Sequence, residues 1–204
     1  MEKTFIPNLN LSDGIDYSTV ALCYSNIVAG AIFSLGFKYV GSGNKEVFAL
    51  INDYALNFFR KLKVIKINKD SVGFVHTNAT KNSIDRITID NCLCVCAFAM
   101  SMIMAGTGDL ECFKTLRIIR KRLELEMHYG FNMAINMALG FLFLGNGSFT
   151  FKNDNLSLAS LLCSLYPVLP SSPNDNRHHL QALRHFYVLA IETRLLQVKD
   201  VDSG

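Results

Sequence analysis

No stretch of this 204-residue chain runs uninterrupted through the roughly 20 apolar residues that a membrane span requires. The longest apolar run, about Cys92 to Ala105, is broken by Ser101 and closely flanked by Asp90, Asp109 and Glu111. Asn26 and Lys38 interrupt an earlier apolar segment, and Asn132 and Asn136 a later one. Helices that are apolar all round also serve as inner helices of large soluble assemblies, and that reading is adopted over a small multi-helix membrane protein, so no membrane partner is expected. The opening Met1-Glu-Lys-Thr-Phe-Ile-Pro7 has an early acid and no apolar core, so no secretory signal is read there and the chain is expected inside the cell.

Charge of one sign is also lacking. Twenty basic and 17 acidic residues leave a net +3, and no basic stripe with interleaved aromatics appears, which argues against a nucleic-acid partner. Catalytic signatures are missing as well: there is no HExxH, no paired carboxylates and no nucleophile elbow to accompany His178, His179 and His185. Cys92, Cys94 and Cys96 lack the C-x2-C spacing and matching second pair of a zinc site. All six cysteines lie in apolar runs, where a reduced thiol behaves as a small hydrophobe, so neither disulfides nor metal nor cofactor is expected. The chain is therefore expected not to be an enzyme.

What the chain does contain is a recurrence. Three times an apolar stretch ends in a Gly-x-Gly turn: Ala29-Gly-Ala-Ile-Phe-Ser-Leu-Gly-Phe-Lys-Tyr-Val-Gly-Ser-Gly-Asn44, Cys94-Val-Cys-Ala-Phe-Ala-Met-Ser-Met-Ile-Met-Ala-Gly-Thr-Gly-Asp109, and Met133-Ala-Ile-Asn-Met-Ala-Leu-Gly-Phe-Leu-Phe-Leu-Gly-Asn-Gly-Ser148. The turns are offset by 65 and then 39 residues, and a spacing near forty marks stacked helical hairpins. The longer step implies an insertion, read at 61–86, where helical periodicity is lost and Lys, Asn and Ser accumulate. Alternation at Val64 to Ile67 and Val72 to Val75 suggests a small hairpin inside it.

The fold class is thus all-α, with an N-terminal extension at 1–17 and repeats at about 18–61, 87–124 and 128–166, followed by a partial one at 177–196. Each unit pairs an apolar inner helix with a more amphipathic outer one. Lys45 to about Lys61 is capped by Asn44, Leu110 to Glu124 by Asp109, and the third outer helix runs from Leu156 to Tyr166 before Pro167 and Pro170 stop it. A last helix is expected from about Arg177 to Arg194.

Gly41, Gly43, Gly106, Gly108, Gly145 and Gly147 follow helices rather than strands, so they read as left-handed helix caps and not as phosphate loops. Glycine inside a helix costs about 1 kcal/mol relative to alanine, so Gly30, Gly36 and Gly140 are expected to mark close helix packing. Arg177, His179, Arg184 and His185 read as a polar helix face available to water or to a partner subunit.

These residues resemble the proteasome/cyclosome repeat, found in the two large scaffold subunits of the proteasome regulatory particle and in the subunit 1 family of the anaphase-promoting complex. Tyr24-Ser-Asn-Ile-Val-Ala-Gly-Ala31 with Gly41-Ser-Gly-Asn44, and Glu126-Met-His-Tyr-Gly-Phe131 through Gly145, are similar to repeats of the latter family. The most specific match is the tail, Ala159-Ser-Leu-Leu-Cys-Ser-Leu-Tyr-Pro167 with Asp175-Asn-Arg-His-His-Leu-Gln-Ala-Leu-Arg-His-Phe-Tyr-Val-Leu-Ala190. The resemblance runs from about residue 20 to residue 203. One departure is Ser101, which stands where the other copies have Gly36 and Gly140.

The resemblance implies an arc of an α-α toroid. It also implies a non-catalytic scaffold role in a cullin-RING-type ubiquitin ligase controlling mitosis, with Doc-homology, cullin, RING and TPR subunits as partners and residence in nucleus and cytoplasm. A proteasome regulatory-particle scaffold is the nearest alternative, and the tail segment counts against it.

Overall fold

Helix α3 (Arg86–Ile103) is an apolar helix packed among α1 (Tyr17–Lys38), α2 (Lys45–Asp70), α4 (Leu110–Leu123) and α5 (Tyr129–Leu142), and the described fold is organised around it. The computed structural model describes residues 17–70, 85–123, 129–175 and 181–194. In chain order the remaining elements are α1 (Tyr17–Lys38), α2 (Lys45–Asp70), α4 (Leu110–Leu123), α5 (Tyr129–Leu142), a 3-10 turn at Leu144–Gly147, β1 (Phe149–Phe151), α6 (Asn155–Leu165), α7 (Gln181–Arg184), a 3-10 helix at His185–Ala190 and β2 (Ile191–Thr193). The described residues are all-α apart from β1 and β2, which pair antiparallel with Phe149 opposite Thr193 and Phe151 opposite Ile191.

The hairpins stack so that inner helices α1, α3 and α5 lie side by side. Each outer helix packs forward onto the next inner element: α2 on α3, α4 on α5, and α6 on the 3-10 helix. A helix in the middle of such a row must be apolar on all faces. Every residue from Cys92 to Ala105 is accordingly buried, and each fully covered side chain such as Phe98, Met100 or Ile103 contributes roughly 1.5–3 kcal/mol.

Both α1 and α3 have the length and composition to cross a membrane, but 83% of the relevant window of α3 is covered within the fold against 22% for α1. Among the described residues α1 packs on one inner helix only, α3, and Val20, Tyr24 and Ile27 on it are exposed. Cys92, Cys94, Cys96 and Cys112 are buried and unbridged. Burial pushes the Cys92 thiol up to about 11 and that of Cys112 to about 12, and raises Cys94 and Cys96 as well. These are protonated packing groups. Among the described residues, no cluster of three or more His, Cys, Asp or Glu is placed to hold a metal ion.

Three expectations are corrected. Helix α2 does not end at Lys61 but continues to Asp70, so Val64 to Ile67 are helical rather than part of a hairpin; Val72 to Val75 lie outside the described residues. The last helix does not run to Arg194. Helix α7 tightens into the 3-10 helix after Arg184, and the chain then extends as β2 because a strand partner, β1, waits beside it.

The third correction concerns the helix glycines. Gly36 meets α3 closely, since a Cβ there would lie 2.8 Å from the Ala99 Cα. Gly30 and Gly140 are exposed, and a Cβ on either would find nothing within 4 Å. Gly30 precedes Gly36 by six residues, which turns it about 120° around the helix and away from the α3 contact. The close approach that pattern reading overlooked is at Gly130, where a Cβ would come within 2.4 Å of the Pro170 carbonyl oxygen.

Candidate assembly site

A helix leaves its last carbonyls without partners, and in this row those of one unit are satisfied by the glycine turn of the unit before. The amides of Gly41 and Gly43 donate to the carbonyls of Met102 and Ile103 at the end of α3, each at 2.9 Å. Gly106 and Gly108 donate in the same register to Phe141 and Leu142 at the end of α5, at 2.9 and 3.0 Å. All four glycines have φ between 62° and 69°, which turns both amides of each turn sideways toward the neighbouring helix.

The middle residue of each of these turns adds a second tie. Ser42 Oγ donates to the Tyr39 carbonyl at 2.7 Å and accepts from the Asn44 amide, while Thr107 Oγ1 donates to the Met104 carbonyl at 2.8 Å and accepts from the Asp109 amide. The next side chain then starts the outer helix: Asn44 Oδ1 accepts from the Val47 amide at 3.0 Å, and Asp109 Oδ1 from Glu111 and Cys112 at 3.0 and 2.9 Å. In five residues the chain closes one helix, caps its neighbour and opens the next.

The third turn behaves differently. Gly145 and Asn146 both take left-handed backbone, with φ of 54°, and asparagine tolerates this better than other side-chain-bearing residues. The chain leaves as β1 instead of entering a helix and crosses back over the two earlier turns. A Cβ on Gly106 would lie 1.9 Å from the Phe149 carbonyl oxygen, and one on Gly41 would lie 2.3 Å from that of Phe151. Strand β2 covers β1 from the other side, and Arg194 reaches through to donate from Nη1 to the Gly106 carbonyl. Only then does α6 begin, capped by Asp154, whose Oδ1 accepts from the Ser157 amide at 2.9 Å.

That cap is testable by pH. The Ser157 amide first, and then its hydroxyl, hold the Asp154 carboxyl below its usual range. A carboxyl whose pKa falls on folding stabilises the fold above its unfolded pKa, near 4, and that contribution is lost as pH falls through the lower folded value. Asp154→Ala should therefore melt below wild type near neutral pH, and the two curves should converge as pH is lowered past the carboxylate range.

Of the four residues expected to form an outward polar face, Arg177 and His179 lie outside the described residues. His185 is exposed. Arg184 is not available to solvent: it is 4% exposed and donates to the carbonyls of Ser164, Tyr166 and Val168 at 2.9, 2.8 and 2.7 Å. It serves the open end of α6, whose last carbonyls have no glycine turn to cap them. Beside it Phe186, Val188 and Leu189 are 40%, 56% and 60% exposed, so the outward surface of this segment beyond His185 is apolar. Strand β1 also escapes pattern reading. Its signal was the Phe149-Thr-Phe151 alternation between Gly147 and Asp154, short enough to pass for a loop.

Helical hairpins whose glycine turns cap the following inner helix define a helical-repeat protein, in which the turn amides join one unit to the next. The model of a family described as the APC1 fifth domain matches residues 3–192. The chain is 46% identical over 188 residues to anaphase-promoting complex subunit 1 of Dictyostelium discoideum, covering 92% of this chain and 8% of that protein. It is 45% identical over 192 residues to the Arabidopsis thaliana subunit 1, covering 93% and 11%, and 40% identical over 196 residues to the Homo sapiens subunit 1, covering 96% and 9%. The chain belongs to the anaphase-promoting complex subunit 1 family. It spans only about a tenth of the length of these curated relatives.

Proposed function

We propose that this chain acts as a non-catalytic scaffold segment of the anaphase-promoting complex, a cullin-RING-type ubiquitin ligase that drives mitotic progression, in nucleus and cytoplasm. The observation that carries the reading is the ladder from the glycine turns to the neighbouring helix ends. Amides of Gly41, Gly43, Gly106 and Gly108 that would bind an anion in a phosphate loop are consumed by carbonyls of the next unit. Their chemistry is that of holding helices in register. The name carried by the relatives supplies the complex, and the partners that follow are its Doc-homology, cullin, RING and TPR subunits.

The test is a tagged pull-down from soluble lysate of the source cells, read by mass spectrometry. Recovery of cullin, RING and TPR subunits is the expected result. Recovery of the tagged chain without them, or only from a detergent extract, would overturn the reading.

A further inference from the structure

The three outer helices are not alike in charge. Exposed positions on α2 carry both signs, with Lys45, Arg60, Glu46 and Asp53, and those on α6 carry no charge. Helix α4 exposes Lys114, Arg117, Arg120 and Lys121, and its one acid in the described part, Glu111, lies in the first turn. None of the four cations is in an ion pair among the described residues. Arg117 is three residues from Lys114 and from Arg120 and four from Lys121, spacings at which like charges repel across a helix surface. The fold holds this strip in place: Thr115 is buried and donates to Asn52 Oδ1 of α2 at 2.8 Å, and the Arg117 guanidinium lies over the Phe113 ring, 5.5 Å from its centre.

We infer that the face Lys114, Arg117, Ile118, Arg120 and Lys121 is a docking surface for an acidic, carboxylate-rich protein segment. These five residues line one shallow groove. From Lys114 to Lys121 the strip is about 10 Å long, a span that two turns of an acidic helix or a few extended residues cover. Ile118, 48% exposed amid the cations, offers apolar contact to a peptide side chain, which a phosphate backbone does not use. Phe113, the aromatic of α4, is engaged with Arg117 and edge-on with Phe143, and so presents no open platform for a stacked base. Charge complementarity thus selects an acidic peptide over a nucleic acid.

This surface stands independently of the scaffold reading, and its test reads the face alone. The full chain is titrated by fluorescence anisotropy with a fluorescein-labelled peptide repeating Glu-Glu-Leu, with its Gln-Gln-Leu counterpart, and with labelled oligothymidylate. Lys114→Glu/Arg117→Glu/Lys121→Glu is compared with the matched reversal Lys45→Glu/Arg60→Glu/Lys61→Glu on α2.

Each exposed ion pair is worth a few-fold in affinity, so the α4 reversal should weaken the Glu-Glu-Leu peptide by roughly tenfold or more. The α2 reversal should change it by about twofold or less, and added salt should weaken wild-type binding. Circular dichroism checks that each variant keeps its helices, and Lys114→Gln/Arg117→Gln/Lys121→Gln carries the comparison if the reversal unfolds. Equal loss in the two reversals, binding of the Gln-Gln-Leu peptide as tight as that of the acidic one, no binding of the acidic peptide, or tighter binding of oligothymidylate would each overturn the inference.

Discussion

Gly106→Ala is expected to be among the most damaging single-methyl additions in this chain, while the same change at Gly30 should raise stability. At Gly106 the backbone has φ of 69°, where a residue with a Cβ costs about 1–2 kcal/mol. The added carbon would also lie 1.9 Å from the Phe149 carbonyl oxygen, so β1 must lift away and strain its pairing with β2. The two effects together should cost roughly 3 kcal/mol or more, a fall in melting temperature of about 10 °C for a chain of this size. At Gly30 the backbone is helical, the site is exposed and no atom stands within 4 Å of the new carbon. Alanine there should stabilise by about 0.5–1 kcal/mol. Gly36→Ala should fall between them, because Ala99 sits 2.8 Å from its new carbon but the helix itself favours alanine. Thermal unfolding of the three variants checks the order, and a Gly106 variant melting with wild type would show that β1 does not lie over the turn.

Arg184→Met should be the second large effect, although a polar residue on a late helix looks replaceable. Its guanidinium is fork-shaped, with Nη1 serving Ser164 and Tyr166 and Nη2 serving Val168. Burial lowers its pKa from the ordinary value. Removing it strands three carbonyls around the end of α6, and since hydrogen bonds from charged donors are worth about 1.5–3 kcal/mol each, the loss should reach about 3 kcal/mol or more. Arg184→Lys should recover little of this, because a single ammonium cannot reproduce the planar fork. In urea the midpoint should drop with the slope preserved. A lysine variant as stable as wild type would mean that charge alone, and not the fork, closes the helix.

The Arg184 result separates what a pattern can and cannot say. Its spacing from Arg177 and His185 placed it on a polar stripe, and that inference assumes a regular helix lying on the surface. The helix instead stops at Arg184, and the side chain turns inward to carbonyls sixteen to twenty residues earlier in the chain. Gly30, Gly36 and Gly140 make the same point. All three are small residues in apolar helices, yet a contact exists only at Gly36, because only there does α3 cross within reach. The amphipathic pattern marks α4 as an outer helix, but the contrast of its basic strip with the mixed and neutral faces of α2 and α6 lies in which of their side chains the fold leaves exposed.

The turns are written in local sequence. Glycine at fixed places after an apolar run, followed by Asn44 or Asp109, encodes helix end, left-handed turn and N-cap through local backbone energetics, which need no distant partner. What each turn is bonded to, the path of β1 back over Gly41 and Gly106, and the tightening and extension of the chain from His185 onward all depend on how the helices pack. The difference is one of range. A cap is set by three or four neighbouring residues, whereas the ladder joins groups about 34 to 61 residues apart, which are brought together only when burial of α3 stacks the inner helices side by side.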